Sequence, residues 1–348
     1  MTEHSPIHFP PEWAQQSAVL LAWPHAQSEF NPWRTDVEAT YEEIAIAVSQ
    51  RQRLIIACND DTLRDQVASR LKPYLGSISF AKLPYDLEWV RDTAPLTVEI
   101  GQKAKLLDFR FNNWGDKYEF DNDVAFARNL YKSGAIGKTS METVDFVLEG
   151  GSLETDGEGT LLTTARCLLN PNRNPELNQS QIEEQLKSSF GLQRVLWLHH
   201  GFAEGDDTDA HVDTLARFCS PDTIAYTASN DSEDPIHGEL KAMEDELKAF
   251  RTAAGKPYTL VPLPVPKPIY SEEGERLPAT YANFLIINKA VLIPVYDDDE
   301  DATAFIRLSK CFPDRDLIGI AATPLIRQYG SIHCMTMQFP KSLVLPEL

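Results

Sequence analysis

Apolar residues recur at helical spacing in six stretches of the chain. In "TDVEATYEEIAIAVSQ", Val37, Tyr41, Ile44 and Val48 share one face, with Thr35 and Glu38 placed as a capping box. "DDTLRDQVASRL" aligns Leu63, Val67 and Leu71. "DNDVAFARNLYKSG" is expected to stop at Gly134, a residue suited to a left-handed helix end. "SQIEEQLKSSFG" pairs Ser180 with Glu183 and closes on Gly191. "DPIHGELKAMEDELKAF" and "DEDATAFIRLSKCF" complete the set. After each of the last five helices comes a short β-rich run: "SISFAKL", "VDFVLE", "RVLWL", "YTLVPL" and "DLIGIA".

Pairs of strand-like runs usually precede the helices. "PLTVEI" faces "AKLLDF", "GSLET" faces "GTLLTT" across Asp156-Gly157, and "NFLII" faces "AVLIPV" across Asn288-Lys289. Helix starts near residues 61, 122, 180, 236 and 301 recur at about one interval, the signature of a repeated unit. The expected organisation is therefore α/β. It is one domain over residues 1–348, built from five strand-strand-helix-strand units rather than two unlike halves.

Composition narrows the function. No apolar run approaches the roughly 20 residues of a membrane span. The start, "MTEHSPIHFPPEW", has neither the basic nor the apolar segment of a secretory signal. Five scattered cysteines without a CxxC pair point to reduced thiols in a cytoplasm, not to a disulfide framework or a zinc cage. The net charge of −20 disfavours nucleic acid and anionic membranes and suits a small cation. The oligomeric state is not readable, and a homodimer stays open.

Chemistry gathers at one point of the repeat. The segments that open the units are "EWVRDTAP", "EGGS", "DAHVD", "PATYANF" and "GSIHC", and they carry Asp92, Glu149, His211, Asp213 and Cys334. If the units surround an axis, these five loops meet. The same segments resemble motifs of the agmatine deiminases, which group with the bacterial peptidylarginine deiminases in the guanidine-modifying (pentein) superfamily. "WVRDTAP" resembles WxRDTGP, "FNNWG" resembles FNAWG, and "EGGSLETDGEGTLLTT" resembles the family's EGG hairpin. "GDDTDAHVD" is similar to the segment ending in GHVD, and "GSIHCMTMQFP" to the terminal GNIHCxTxQxP. The likeness runs from "PPEW" to Pro340. It departs at Gln328-Tyr329-Gly330-Ser331, where the family has three glycines and Asn, and at Ala210, where it has Gly.

The resemblance implies a five-bladed α/β propeller that hydrolyses a guanidinium to a ureido group, without metal or organic cofactor. It implies that Asp92 and Asp213 grip the guanidinium, since carboxylates match its fork of donors. Cys334 would then attack as a thiolate and His211 would serve as acid and base. Glu149 would hold the second imidazole nitrogen or a substrate nitrogen. Standing alone, each residue has a plainer reading: Asp92 paired with Arg91, His211 a structural histidine, Glu149 a turn residue. The adjacent pair His211 and Asp213 flanks one residue, so on an extended segment both side chains share a face.

Cys58, Cys167, Cys219 and Cys311 read as small buried hydrophobes. Trp114 is a candidate substrate wall or a core residue, and Tyr281 and Asn283 are candidate pocket residues. His199-His200 makes a poor metal pair with His211, and "DDDEDA" reads as a solvated helix entry. Three functions remain: deimination of agmatine, deimination of free or peptidyl arginine held by Arg110 or Arg327, and a silent cation- or protein-binding propeller.

Overall fold

In the computed structural model, residues 6–202 and 204–348 are described. The strands form five separate sheets, and each sheet repeats one pattern. An antiparallel pair comes first, then a crossover helix, then a strand parallel to the second. In one sheet Leu96–Ile100 pairs antiparallel with Lys103–Arg110, which runs parallel to Met141–Val147. Ile7–His8 adds a short strand at its edge. The next sheet joins Glu154–Thr155, Thr160–Thr164 and Arg194–Leu198. Two more join Ala216–Ser220, Thr223–Ala228 and Thr259–Pro264, and Leu285–Ile287, Ala290–Val295 and Asp316–Ala321.

The remaining sheet ties the chain ends together. Thr336–Pro340 pairs antiparallel with Gln16–Ala22, which runs parallel to Arg53–Cys58, itself parallel to Ile78–Lys82. Its crossover helix equivalent to the others is Arg34–Ser49. The evenly spaced helix series in the sequence starts one helix too late: Asp61–Arg70 leads to an added fourth strand. The physical reason is that this unit borrows its first strand from the C-terminus, which no local pattern near residue 61 reveals.

The crossover helices bury the faces their periodicity predicts. Ile182, Leu186 and Phe190 are buried on Gln179–Phe190, and Leu240, Met243 and Leu247 on His237–Ala249. Gly134 and Gly191 end their helices in the left-handed conformation, at φ 79° and 69°. Two caps differ from expectation. Asn178 and Gln181, not Ser180 and Glu183, form the capping box. Arg34–Ser49 follows Trp33 with no side-chain cap, and Glu38 instead accepts from Arg34 Nε at 3.0 Å. No helix among the described residues is long and apolar enough to cross a membrane.

Each sheet's first strand is preceded by a short irregular stretch: Val90–Thr93, Gly150–Ser152, Val212–Thr214, and the loops around Asn283 and Cys334. These five stretches position the site.

Candidate active site

The five opening loops meet through direct contacts. Cys334 Sγ lies 3.3 Å from Asn283 Nδ2 and 3.7 Å from Asp213 Oδ2. The backbone N–H of Arg91 donates to the Cys334 carbonyl at 3.2 Å, tying the Asp92 turn to the cysteine loop. Asp92 Oδ1 accepts from Gly151 N–H at 2.8 Å, and Oδ2 accepts from Trp114 Nε1 at 3.0 Å. His211 stands between carboxylates, with Nδ1 3.8 Å from Asp92 Oδ1 and Nε2 3.9 Å from Glu149 Oε2. Asp92, Glu149, His211, Asp213 and Cys334 are thus brought together, and all are buried.

Gly151 explains the double glycine. A Cβ there would stand 2.5 Å from His211 Nδ1, 3.0 Å from Asp92 Oδ1 and 3.2 Å from Asp213 Oδ2. Only a residue without a side chain lets the three groups converge.

Several expectations change. Asp92 is not the partner of Arg91, whose Nε donates to the His333 carbonyl at 3.2 Å. His211 and Asp213 are not on an extended segment: Val212–Thr214 is a tight 3₁₀ turn entered through Ala210 at φ 66°. The left-handed residue and the Thr214 hydroxyl, which donates to the His211 carbonyl at 2.9 Å, fold the strand-like sequence. Glu149 lies beyond hydrogen-bond reach of His211, because both its oxygens accept from Arg173 Nε at 3.0 Å. Arg173 also reaches Asp209 Oδ2 at 2.7 Å and the Thr208 carbonyl at 3.0 Å.

Cys167 is buried in the core as expected, yet its sulfur lies within 4.8 Å of ligand-type atoms of both His211 and Glu149. It is part of the site's surroundings, not only of the core. Tyr281 donates to Asp301 Oδ1 at 2.7 Å and does not line the cavity over Cys334. Asn283 does touch the cysteine. His200 is exposed beside Glu239, and neither it nor His199 joins His211 in either cluster of metal-ligand type found among the described residues. Those clusters are Glu149, Cys167 and His211, and Glu12, Glu154 and His333. Each already holds a guanidinium, Arg173 in the first and Arg217 in the second, where a metal's charge would sit.

The electrostatics follow from burial and neighbours. Burial, then Asp213 and Asp92, push the Cys334 thiol well above its ordinary range. Burial also disfavours a charged His211, but Asp92, the Cys167 thiol and Glu149 outweigh it and push the ring up to about 10. Asp92 is raised by burial, with His211 opposing and Asp213 and Glu149 adding. In this pair Asp92 is the anion and His211 the cation, because both carboxylate oxygens accept N–H bonds. Burial would raise Asp213 too, yet the His333 hydrogen bond and charge hold it below the usual carboxylate range.

A small cavity of about 40 Å³ opens over the cysteine. Trp89, Asp92, Trp114, Tyr329, Gly330 and Cys334 line its inner part, and Glu29, Asp206 and Asp207 line it further. Trp114 is both a wall and a structural residue: it stands in the left-handed region at φ 56° and holds Asp92 through its indole N–H. The "QYGS" departure also borders this cavity. Tyr329 has φ 65°, and a Cβ on Gly330 would meet the Trp89 ring at 2.0 Å. No Lys or Arg is among the described residues lining the cavity. Arg110 sits outside it, paired with Asp145 at 2.9 Å, and Arg327 stacks over Trp33.

The pattern defining the Porphyromonas-type peptidyl-arginine deiminases matches residues 8–340, and the chain belongs to that family. Among its relatives, a Vibrio parahaemolyticus protein named provisionally as an agmatine deiminase is 34% identical, covering 96% of this chain and 97% of its own. A crystal structure from Porphyromonas gingivalis, named provisionally as an arginine deiminase, superposes with a TM-score of 0.92 at 45% identity, covering 97% and 99% of the two chains. A cysteine-to-serine variant of C. jejuni agmatine deiminase with substrate bound superposes with a TM-score of 0.91 at 38% identity, covering 99% of each chain.

Proposed function

We propose that this chain is an agmatine deiminase, a single domain whose five sheets stand as blades around the site and which converts a guanidinium to a ureido group. The observation that carries the reading is the composition of the cavity. It is lined by the Cys334 thiol, Asp92 and the further carboxylates Glu29, Asp206 and Asp207, with Asp213 3.7 Å from the sulfur and no Lys or Arg among the described lining residues.

The guanidinium lies between Asp92 and Asp213, each accepting N–H bonds. Asp213 Oδ1 is buried without a hydrogen-bond partner, so it is available for one of them. The cation offsets the two charges that hold the Cys334 thiol high, so substrate binding itself favours the thiolate, and the thiol's proton passes to solvent. The sulfur attacks the central carbon and gives a tetrahedral adduct. Protonated His211 then gives its proton to the departing nitrogen, ammonia leaves, and an amidino-thioether remains on Cys334. Neutral His211 takes a proton from water as it attacks, and collapse returns the thiol and releases the ureido product.

Glu29 and Asp207 carry the substrate preference. Burial and then the Asp207 charge raise the Glu29 carboxyl, and an ammonium at the far end of agmatine relieves that repulsion. The carboxylate of free arginine would be desolvated there without a cationic partner, at several kcal/mol. Lys117 does not line the cavity and is taken by Asp209 at 3.2 Å, by the Asp207 carbonyl and by the Asp207 carboxylate at 3.6 Å. The structural relative named for arginine motivates the second reading, deimination of arginine, but Arg110 and Arg327 both point elsewhere.

Ammonia release from agmatine, arginine and a blocked peptidyl-arginine separates these readings. Agmatine is expected to exceed arginine in kcat/KM by at least about 100-fold, roughly 3 kcal/mol of differential binding. Equal or reversed specificity would remove the agmatine assignment and leave the guanidine chemistry standing.

A further inference from the structure

Behind the nucleophile runs a chain of buried charges that the reaction above does not use. His333, the residue before Cys334, lies with Nδ1 2.7 Å from Asp213 Oδ2 and Nε2 2.8 Å from Glu12 Oε2. Glu12 belongs to the N-terminal segment, more than 300 residues away in sequence. Its Oε1 accepts from the Ile286 N–H at 2.6 Å, and its Oε2 also accepts from Arg217 Nη2 at 2.7 Å. Arg217 is fully buried, donates to the Phe284 carbonyl at 2.7 Å, and pairs through Nε with Glu154.

A ring whose two nitrogens each meet a carboxylate satisfies both only by donating twice. Arg217 keeps Glu12 an acceptor, so Glu12 fixes His333 and His333 fixes Asp213. One oxygen of Asp213, the one 3.7 Å from Cys334 Sγ, is consequently held by His333 while the other is left without a partner. We propose that His333 is a positioning residue for the substrate-binding carboxylate, clamped by Glu12 so that Asp213 is held beside the cysteine with its Oδ1 kept free for the guanidinium. Burial and opposing charge agree with this arrangement: Glu12, despite burial, is held far below the usual carboxylate range by Arg217 and His333. The inference rests on the deiminase reading, since it concerns the residue that reading places on the substrate.

Two replacements test it, because each retains a different half of the imidazole. The amide nitrogen of His333→Asn falls near Nδ1 and still donates to Asp213, whereas that of His333→Gln falls near Nε2 and donates only toward Glu12. With agmatine as probe, KM for His333→Asn is expected within about 10-fold of wild type, and KM for His333→Gln at least about 100-fold higher. Agmatine affinity measured in the Cys334→Ser background should show the same split without turnover. Equal losses in the two variants, or a loss confined to kcat, would overturn the positioning role.

A second measurement needs no variant to fold. Nitrogen-15 NMR of histidine-labelled wild type should show both His333 ring nitrogens engaged in hydrogen bonds, as their 2.7 and 2.8 Å contacts require, and a ring nitrogen free of any hydrogen bond would overturn the clamp. Wild-type protein inactive on agmatine would count against the proposed function instead, and the ring's NMR state would still decide the clamp.

Discussion

Two histidines belong to the surroundings of the cysteine, and they are held in opposite ways. His333 is locked: both nitrogens lie within 2.8 Å of carboxylate oxygens. His211 is loose: its carboxylates lie at 3.8 and 3.9 Å, and its Nε2 has no hydrogen-bond partner although it is buried. Buried polar atoms are normally satisfied, so an orphaned nitrogen at a site marks a group kept for something absent. A locked ring is suited to fixing geometry, and a loose cationic ring to exchanging protons. The same side chain serves two purposes because Arg173 pulls Glu149 away from His211, while Arg217 presses Glu12 toward His333.

The largest effect should come from the group both sides serve. Cys334→Ser is expected to release no ammonia above background while melting like wild type, because a hydroxyl has no accessible anion in this site. Full activity in that variant would place the nucleophile elsewhere and leave the contrast between the histidines without a purpose.

Next is the loose histidine itself. His211→Ala should lower kcat by roughly 10²–10⁴-fold, with agmatine binding retained and an amidino adduct detectable on Cys334 by mass spectrometry. A variant within about 2-fold of wild type would make His211 structural. The ring also leaves a mark on stability. Its folded pKa of about 10 lies above its ordinary value of 6.5, so its charge stabilises the fold fully below about pH 6.5. That stability is lost as the pH rises through about 10. Over this window the melting temperature of wild type should fall more steeply than that of His211→Ala, and parallel curves would argue against a cationic ring.

The members of the site were legible in the sequence, though not the contrast. Cys334, His211, Asp92, Asp213 and Glu149 share one phase of the repeat, and the family motifs they sit in gave them roles. The groups that tune them were not legible. Arg173, Arg217 and Glu12 look like ordinary charges in their local segments, and their meaning comes from partners 24 to 321 residues away. His333 was visible only as the neighbour of a cysteine. The Glu149 contact was only partly legible for the same reason: Glu149 faces His211 Nε2 at 3.9 Å, and no local pattern shows that Arg173 also claims it. Periodicity reports which face is buried; it does not report which buried charge meets which. The closing strand Thr336–Pro340 shows the limit for the fold, because pairing across the chain ends leaves no spacing signal.

The smallest expected effect sharpens what holds His211 loose. Ala210 precedes it at φ 66°, where an L-residue costs about 1–2 kcal/mol and where the family motif has glycine. Ala210→Gly removes that strain. It also removes a buried methyl, worth about 0.8 kcal/mol, and frees the unfolded chain by about 0.4–1 kcal/mol. The opposing terms nearly cancel, so stability should change by less than about 1 kcal/mol in denaturant unfolding. Activity should change little as well, because the backbone is fixed by three bonds that do not involve the methyl. Ala210 N–H donates to Asp206 Oδ2 at 2.5 Å, its carbonyl accepts from the Thr164 hydroxyl at 2.7 Å, and His211 N–H donates to Thr208 Oγ1 at 3.1 Å. A kcat within about 3-fold of wild type is expected. A loss beyond about 10-fold with the fold intact would mean that the alanine side chain, not this hydrogen-bonded turn, keeps the imidazole clear of its carboxylates.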